Sequence, residues 1–368
     1  LKIKFIYMKN LMNSWRTKTL AILASGMLLF SCNKDLPQAV PIVPAPPTGA
    51  TIMSLLDGPN FSFLKAAVTR AGLNTALNTP TNVYTAFAPD NDAFVLSGIP
   101  SIDVINSLPV ATLQSILNYH LIGGQVFRAA NILDKYPNMY LQSMLLLSAP
   151  SAASPPGYRM PLGISRRGSN AWANQIPVKQ ADISASNGVV HVVAALLSPP
   201  SLVLAQVVGG DPSYSYLLAA VQRADQGPPP GAPALLPVLS NAAANLTVFA
   251  PTNEAFIALY TALGLGAAGP ITPQSVNLLP SATVWGIVAF HVQGVRAFSP
   301  NLSTSNRPSI MGVNQQFNVT ANAVQVRGPG NIAPTPGGPV NFFANVTSAN
   351  INAINGVIHR VDAVLVPQ

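Results

Sequence analysis

The stretch "TVFAPTNEAF", residues 247–256, is nearly repeated by "TAFAPDNDAF" at residues 85–94. Each copy sits at the end of a short β-rich run, "VYTAFAP" or "LTVFAP", stopped by a proline. Each closes on Ala-Phe, where a helix is expected to begin. Between proline and phenylalanine lies a polar knot, Asp90-Asn91-Asp92 in one copy and Thr252-Asn253-Glu254 in the other. Three readings compete: a duplicated active site, a metal site, or a structural joint. Thr252 stands where Asp90 stands. Both side chains accept backbone N–H bonds at a helix N-cap, a role contributing about 1 kcal/mol. Threonine does not readily take the place of a carboxylate ligand. Asp92 and Glu254 fall in the first turn, where the helix dipole favours negative charge. Phe94 and Phe256 are then free to turn back into the core. The knot reads as a strand-to-helix joint.

The repetition extends outward. "FSFLKAAVTRA" (61–71) matches "YSYLLAAVQRA" (214–224) at an offset of 153. "ATLQSILNYH" (111–120) matches "ATVWGIVAFH" (282–291) at 171, and "NGVVH" (187–191) matches "NGVIH" (355–359) at 168. Four blocks in one order, with a drifting offset, describe a tandem domain duplication with insertions in loops. A period near 160 is too long for a solenoid repeat. The first matched blocks carry apolar residues at helical spacing. "TLQSILNYHLI" and "TVWGIVAFHVQ" read as a helix passing into a strand. "FNVTANAVQV" (317–326) alternates and reads as a hairpin around Asn322. The two Asn-Gly segments read as turns, each followed by a β-branched strand. Helices early and strands late in each copy indicate an α+β domain.

These blocks resemble the fasciclin-type domain, whose two hallmarks are a Thr-Val-Phe-Ala-Pro-Thr-Asn-x-Ala-Phe stretch and a late Asn-Gly-x-x-His stretch. Both hallmarks occur twice, with Tyr119-His120 and Phe290-His291 between them. The resemblance implies two tandem fasciclin-type domains, at 50–199 and 200–368, each a β-sheet wedge with packed helices. It implies secreted or surface-anchored modules of adhesion and matrix contact, mostly without catalysis. It carries receptor adhesion onto Tyr119, His120, Leu121 and Ile122, and in the second copy onto Phe290 and His291. Phe290 lacks the phenolic hydroxyl, and Tyr119 reads more readily as a core aromatic.

All four histidines lie in the repeated blocks: His120 and His291, His191 and His359. A closed zinc site needs about four ligands and a catalytic one about three. Each copy has two histidines and no cysteine. Asp182 precedes His191, whereas the corresponding region "TSAN" (347–350) has no acid. The histidines therefore read as loop-pinning groups, alongside Asn187, Gly188, Asn355 and Gly356. No G-x-S-x-G elbow, H-E-x-x-H or P-loop occurs. The expectation is a protein with no catalytic residue, metal or cofactor.

Charged residues make up only 8% of the 368 residues, while Pro numbers 35 and Gly 26. Such a composition suits an extracytoplasmic module with polar loops. Of 19 basic residues, five lie in residues 1–31, leaving 14 against 11 acidic ones, a net +3. The rest are scattered, and a nucleic-acid surface needs a clustered basic face. Met8 offers a start, which makes residues 1–7 upstream sequence. A basic segment followed by "LAILASGMLLFSC" has the form of a signal peptide over 1–31. The only cysteine, Cys32, ends that run in a lipobox-like setting, with Phe30 as a departure. The expectation is a lipidated Cys32, a proline-rich linker over 32–49 and an outer-membrane lipoprotein facing the periplasm or the cell surface. The expected partners are the membrane, through the anchor, and an unknown surface protein or polysaccharide. A glycan-binding accessory role is the second reading, with Trp172, Trp285 and Tyr158 as its aromatic candidates. Trp285 lies in an apolar helical run and reads as core.

Overall fold

The computed structural model describes residues 49–134, 136–137, 139–148, 157–320, 323–331 and 342–367. The signal peptide, Cys32 and all but the last residue of the linker lie outside the described residues, as does Asn322. In the first copy, short helices come first: α1 (Ile52–Leu55), α2 (Ser62–Arg70) and α3 (Asn74–Asn78). Strand β1 (Tyr84–Pro89) follows, then α4 (Asn91–Leu96), α5 (Ile102–Ser107) and α6 (Val110–Tyr119). Six more strands complete the copy: β2 (Leu121–Gly123), β3 (Met139–Ser148), β4 (Tyr158–Arg167), β5 (Asn170–Ala173), β6 (Ile176–Ala185) and β7 (Gly188–Val193). They close into a barrel in sequence order, β7 returning to pair with β1 in parallel.

The second copy repeats this plan. Helices α7 (Leu204–Gly210), α8 (Ser215–Asp225) and α9 (Leu235–Ser240) lead to β8 (Leu246–Pro251). Helices α10 (Asn253–Ala262) and α11 (Ser281–Phe290) lead to β9 (Val292–Gln293). Then come β10 (Ser305–Pro308), β11 (Asn314–Val319), β12 (Val324–Arg327), β13 (Ala344–Ala353) and β14 (Gly356–Val361). Their order in the sheet is β10-β11-β12-β13-β14-β8-β9, with β14 parallel to β8. The expected hairpin is β11–β12, with Val319 opposite Val324. The expected helix-into-strand segments are α6–β2 and α11–β9.

Strand periodicity explains the layering, because successive side chains face opposite sides. In β1, Ala86 and Ala88 face the helices and join Leu64, Val68, Phe94 and Leu117. Phe87 between them points into the barrel with Tyr119, Ile122, Met160 and Leu162. In β8, Val248 and Ala250 face the helices while Phe249 packs with Phe290 and Phe317. Each copy therefore has two cores, one on either side of its central parallel pair.

The two copies also meet. Tyr136 donates its hydroxyl hydrogen to Gln293, and Tyr140 donates to the carbonyl of Arg296. The Arg307 guanidinium lies 3.3 Å from the Tyr136 ring centre, a cation–π stack between copies. Arg167 donates to the carbonyl of Leu302, and Tyr158 to that of Ala242 at 2.9 Å.

Candidate functional site

The polar knots are helix caps. The Asp90 carboxylate accepts from Ala93 N–H at 2.9 Å, and Thr252 Oγ1 accepts from Ala255 N–H at 3.3 Å. Lys179 pairs with the second oxygen of Asp90, tying the cap to β6. Asp92 and Glu254 occupy the first turns, and hydrogen bonds to its own backbone N–H and to Thr252 hold the Glu254 carboxyl below its usual range. Phe94 and Phe256 are buried. Asn253 does something the sequence did not disclose. Its Oδ1 accepts from Tyr216 N–H at 3.2 Å and its Nδ2 donates to the carbonyl of Pro212 at 2.9 Å. Asn91 makes the same bonds to Phe63 and Pro59. One knot thus fastens two helix starts. The signal available for Asn91 was its identity in both copies.

The Asn-Gly segments differ from the expectation. They are not Asn-Gly turns: Ala185 pairs with Gly188, so the two-residue loop is Ser186-Asn187, and likewise Ala353 pairs with Gly356. The asparagine side chain is turned inward. Asn187 Oδ1 accepts from Ile52 N–H at 2.8 Å, and its Nδ2 donates to the carbonyls of Leu77 and Thr79. Asn355 accepts from Leu204 N–H at 2.8 Å and donates to the carbonyls of Leu239 and Asn241, both at 2.9 Å. Each is a buried clamp joining the end of the sheet to the N-terminal helices. Gly188 and Gly356 follow because the parallel neighbour passes close by. A Cβ on Gly188 would meet the Tyr84 carbonyl oxygen at 1.9 Å, and one on Gly356 would meet that of Leu246 at 2.5 Å.

The histidines fall into two pairs by position, His120 with His291 and His191 with His359. His120 Nδ1 donates to the carbonyl of Ile116 at 2.8 Å, and its Nε2 accepts from Leu197 N–H at 2.9 Å. His291 does the same with Ile287 and Leu365, both at 2.8 Å. The amide donor assigns the tautomer in each case: Nδ1 carries the proton. His191 is the reverse. Its Nδ1 accepts from Asp182 N–H, and its Nε2 donates to the carbonyl of Phe127 at 2.8 Å. His359 Nε2 donates to the carbonyl of Ala297 at 2.9 Å. Burial pushes His120, His291 and His359 down to about 4 against a small opposing pull from these carbonyls. Burial also lowers His191, opposed by the Phe127 carbonyl and Asp182.

Asp182 and Asn350 are counterparts. Both have left-handed backbone, with φ of 63° and 66°. Asp182 Oδ1 accepts from Ala129 N–H at 2.9 Å, and Asn350 Oδ1 accepts from Ser299 N–H at 2.7 Å. An amide replaces the acid because the task is accepting one N–H bond. Among the described residues, no three of His, Cys, Asp and Glu come together as a metal cluster.

The residues onto which the family resemblance carried adhesion lie inside. Tyr119, Ile122, Phe290, His120 and His291 are at most 3% exposed, and Leu121 is 8% exposed. The Tyr119 hydroxyl accepts from Asn174 Nδ2 at 2.9 Å, the arrangement a core tyrosine needs. In this fold none of the six presents a side chain to a partner. Of the aromatic candidates, Trp285 is core, donating Nε1–H to the carbonyl of Pro233 at 2.9 Å. Trp172 is half-buried on β5. Tyr158 is half-buried at the start of β4 and lines an open cleft of about 770 Å³. Among the described residues, no helix is long and apolar enough to cross a membrane.

Two sheet-and-helix modules with the same caps, clamps and histidines define a duplicated domain. The chain matches the fasciclin domain over residues 59–199 and again over 231–367, and it belongs to the fasciclin family. Transforming growth factor-beta-induced protein ig-h3 from Sus scrofa is 37% identical over 162 residues, 42% of this chain and 20% of that protein. Protein sll1483 from Synechocystis is 28% identical over 176 residues, 48% of this chain and 79% of that protein. The chain spans about a fifth of the ig-h3 relatives it matches. Among solved structures, a FAS1 domain pair from the insect cell adhesion molecule Fasciclin I is similar at 18% identity, covering 82% of this chain and 95% of that one, with a TM-score of 0.35.

Proposed function

We propose that this protein is a non-catalytic surface lipoprotein that makes adhesive or matrix contacts through its two fasciclin modules. The observation that carries the reading is the state of its chemistry-bearing residues. All four histidines are buried, held neutral by their surroundings and hydrogen-bonded to backbone. Both polar knots serve as helix caps. General acid–base work needs a group that titrates near the working pH and reaches a substrate. The contact surface is then on the exposed loops and cleft walls. Lipidation at Cys32 and the proline-rich linker hold the modules off the outer membrane. Two modules on one tether raise effective concentration without strong single contacts.

The reading is tested on living cells. Metabolic labelling with a palmitate analogue marks wild type and spares Cys32→Ser, and cells carrying Cys32→Ser lose adhesion to neighbouring cells or matrix. Equal labelling of both removes the anchor. Unchanged adhesion, with the chain released from the envelope, removes the function.

A further inference from the structure

The open cleft beside β1 is lined almost wholly by uncharged residues. Its lining includes two half-buried tyrosines, Tyr158 and Tyr84, the latter packed in part against the helix-side core, and two exposed side-chain amides, Gln125 and Gln142. Neither amide side chain has an intramolecular hydrogen-bond partner among the described residues. Arg159 supplies the one charge, and its Nη1 is fixed on the carbonyl of Met144 at 2.7 Å. No carboxylate lines the cleft among the described residues. Gly124, at φ 74°, borders it with open space where a Cβ would be. At about 770 Å³ the cleft is within the usual range for small-ligand sites, about 300–1,000 Å³.

We infer that this cleft binds a polysaccharide chain. The inference rests on the binding-module reading above and names the partner's chemistry. A side-chain amide both donates and accepts, which is what a sugar hydroxyl also does. A tyrosine presents a flat apolar face with a polar tip, matching the apolar face and hydroxyl rim of a pyranose. The cleft is open, so a chain can pass through it. A single guanidinium and no carboxylate accommodate a neutral or uronate-bearing sugar, whereas nucleic acid calls for a basic cluster.

The difference between the copies isolates the site. The second copy has buried Leu246 where the first has Tyr84. It is also one residue shorter at the cleft. Gln125, whose carbonyl accepts from Thr85, lies five positions after His120, while Val295, whose carbonyl accepts from Thr247, lies four after His291. The extra residue and the tyrosine belong to the first copy alone. The Tyr158 ring is held by its hydroxyl bond to Ala242 of the second copy, so the cleft wall depends on both.

Affinity electrophoresis and calorimetry of the purified full-length chain test this, against neutral glucans, galactans and mannans and against uronate polymers. Retardation by at least one polysaccharide is expected. The double variant Gln125→Ala/Gln142→Ala should weaken it about tenfold or more, with thermal unfolding unchanged. Tyr84→Leu, which installs the second copy's residue, should weaken it similarly. Binding to no polysaccharide at millimolar sugar, or binding that both variants leave intact, overturns the cleft assignment. Loss of polysaccharide binding in those variants with cell adhesion intact supports the cleft and puts the adhesive contact elsewhere on the modules. Loss of adhesion only on release of the anchor separates the two readings.

Discussion

The residues that look most like chemistry here are fasteners, and their cost on removal differs in a checkable way. Thr252→Ala removes one cap bond at the surface end of a helix and should cost about 1 kcal/mol. Asn355→Ala orphans a buried N–H and two carbonyls at once. An orphaned buried group costs about 1–3 kcal/mol, so this variant should lose about 3 kcal/mol or more. Urea titration of both variants decides the ranking, and an Asn355→Ala no costlier than Thr252→Ala would show that the clamp is dispensable. The cap was legible in the sequence because Thr and Asp share one physical role at one position. The clamp was not, because an Asn-Gly pair ordinarily marks a turn. Nothing local discloses that Asn187 reaches helices more than a hundred residues earlier in the chain.

At the scale of elements, the parallel pairs β1–β7 and β8–β14 organise each module. The β-rich runs "VYTAFAP" and "LTVFAP" were legible as strands, while the facing of Phe87 and Phe249 away from the helices came from the structure. The helix-to-strand passages and the β11–β12 hairpin were also readable, from period and spacing. Closure of the first sheet into a barrel was not. It depends on the long-range pairing of β2 with β3 through one register point, Ile122 opposite Ser143. The glycines give the sharpest test at this scale. Gly98 has φ 82° and open space where a Cβ would stand, so Gly98→Ala costs only the strain of left-handed backbone, about 1–2 kcal/mol. Gly188→Ala must also push the Tyr84 carbonyl away and open the parallel pair. It should be far more destabilising in thermal unfolding. Equal losses would mean that the strands can separate at little cost.

At the scale of the whole molecule, the copies are joined by tyrosine–arginine stacking and by hydrogen bonds from side chains. None of these groups lies in a repeated block, so the sequence disclosed two domains without disclosing their seam. Arg296 is 1% exposed at that seam, and its Nη2 donates to the carbonyl of Ile354 at 2.6 Å. Charge is sparse, and the described residues hold three ion pairs, Lys65–Asp57, Lys179–Asp90 and Arg360–Asp211. Acid sensitivity should therefore come mainly from the histidines. Their folded pKa values lie below the unfolded 6.5, so the unfolded chain binds more protons between the two. Stability is then full above pH 6.5 and falls as pH drops towards 4, by about 3 kcal/mol for each histidine that reaches 4. The most direct test of the claim that these imidazoles hold the fold and do no chemistry is an NMR titration of all four in the folded chain. The account predicts that His120, His291 and His359 stay neutral, each in one tautomer, until about pH 4 or until the chain unfolds, with His191 also titrating below its ordinary value. A histidine that titrates reversibly at or above its ordinary value, about 6.5, in the intact fold would contradict it.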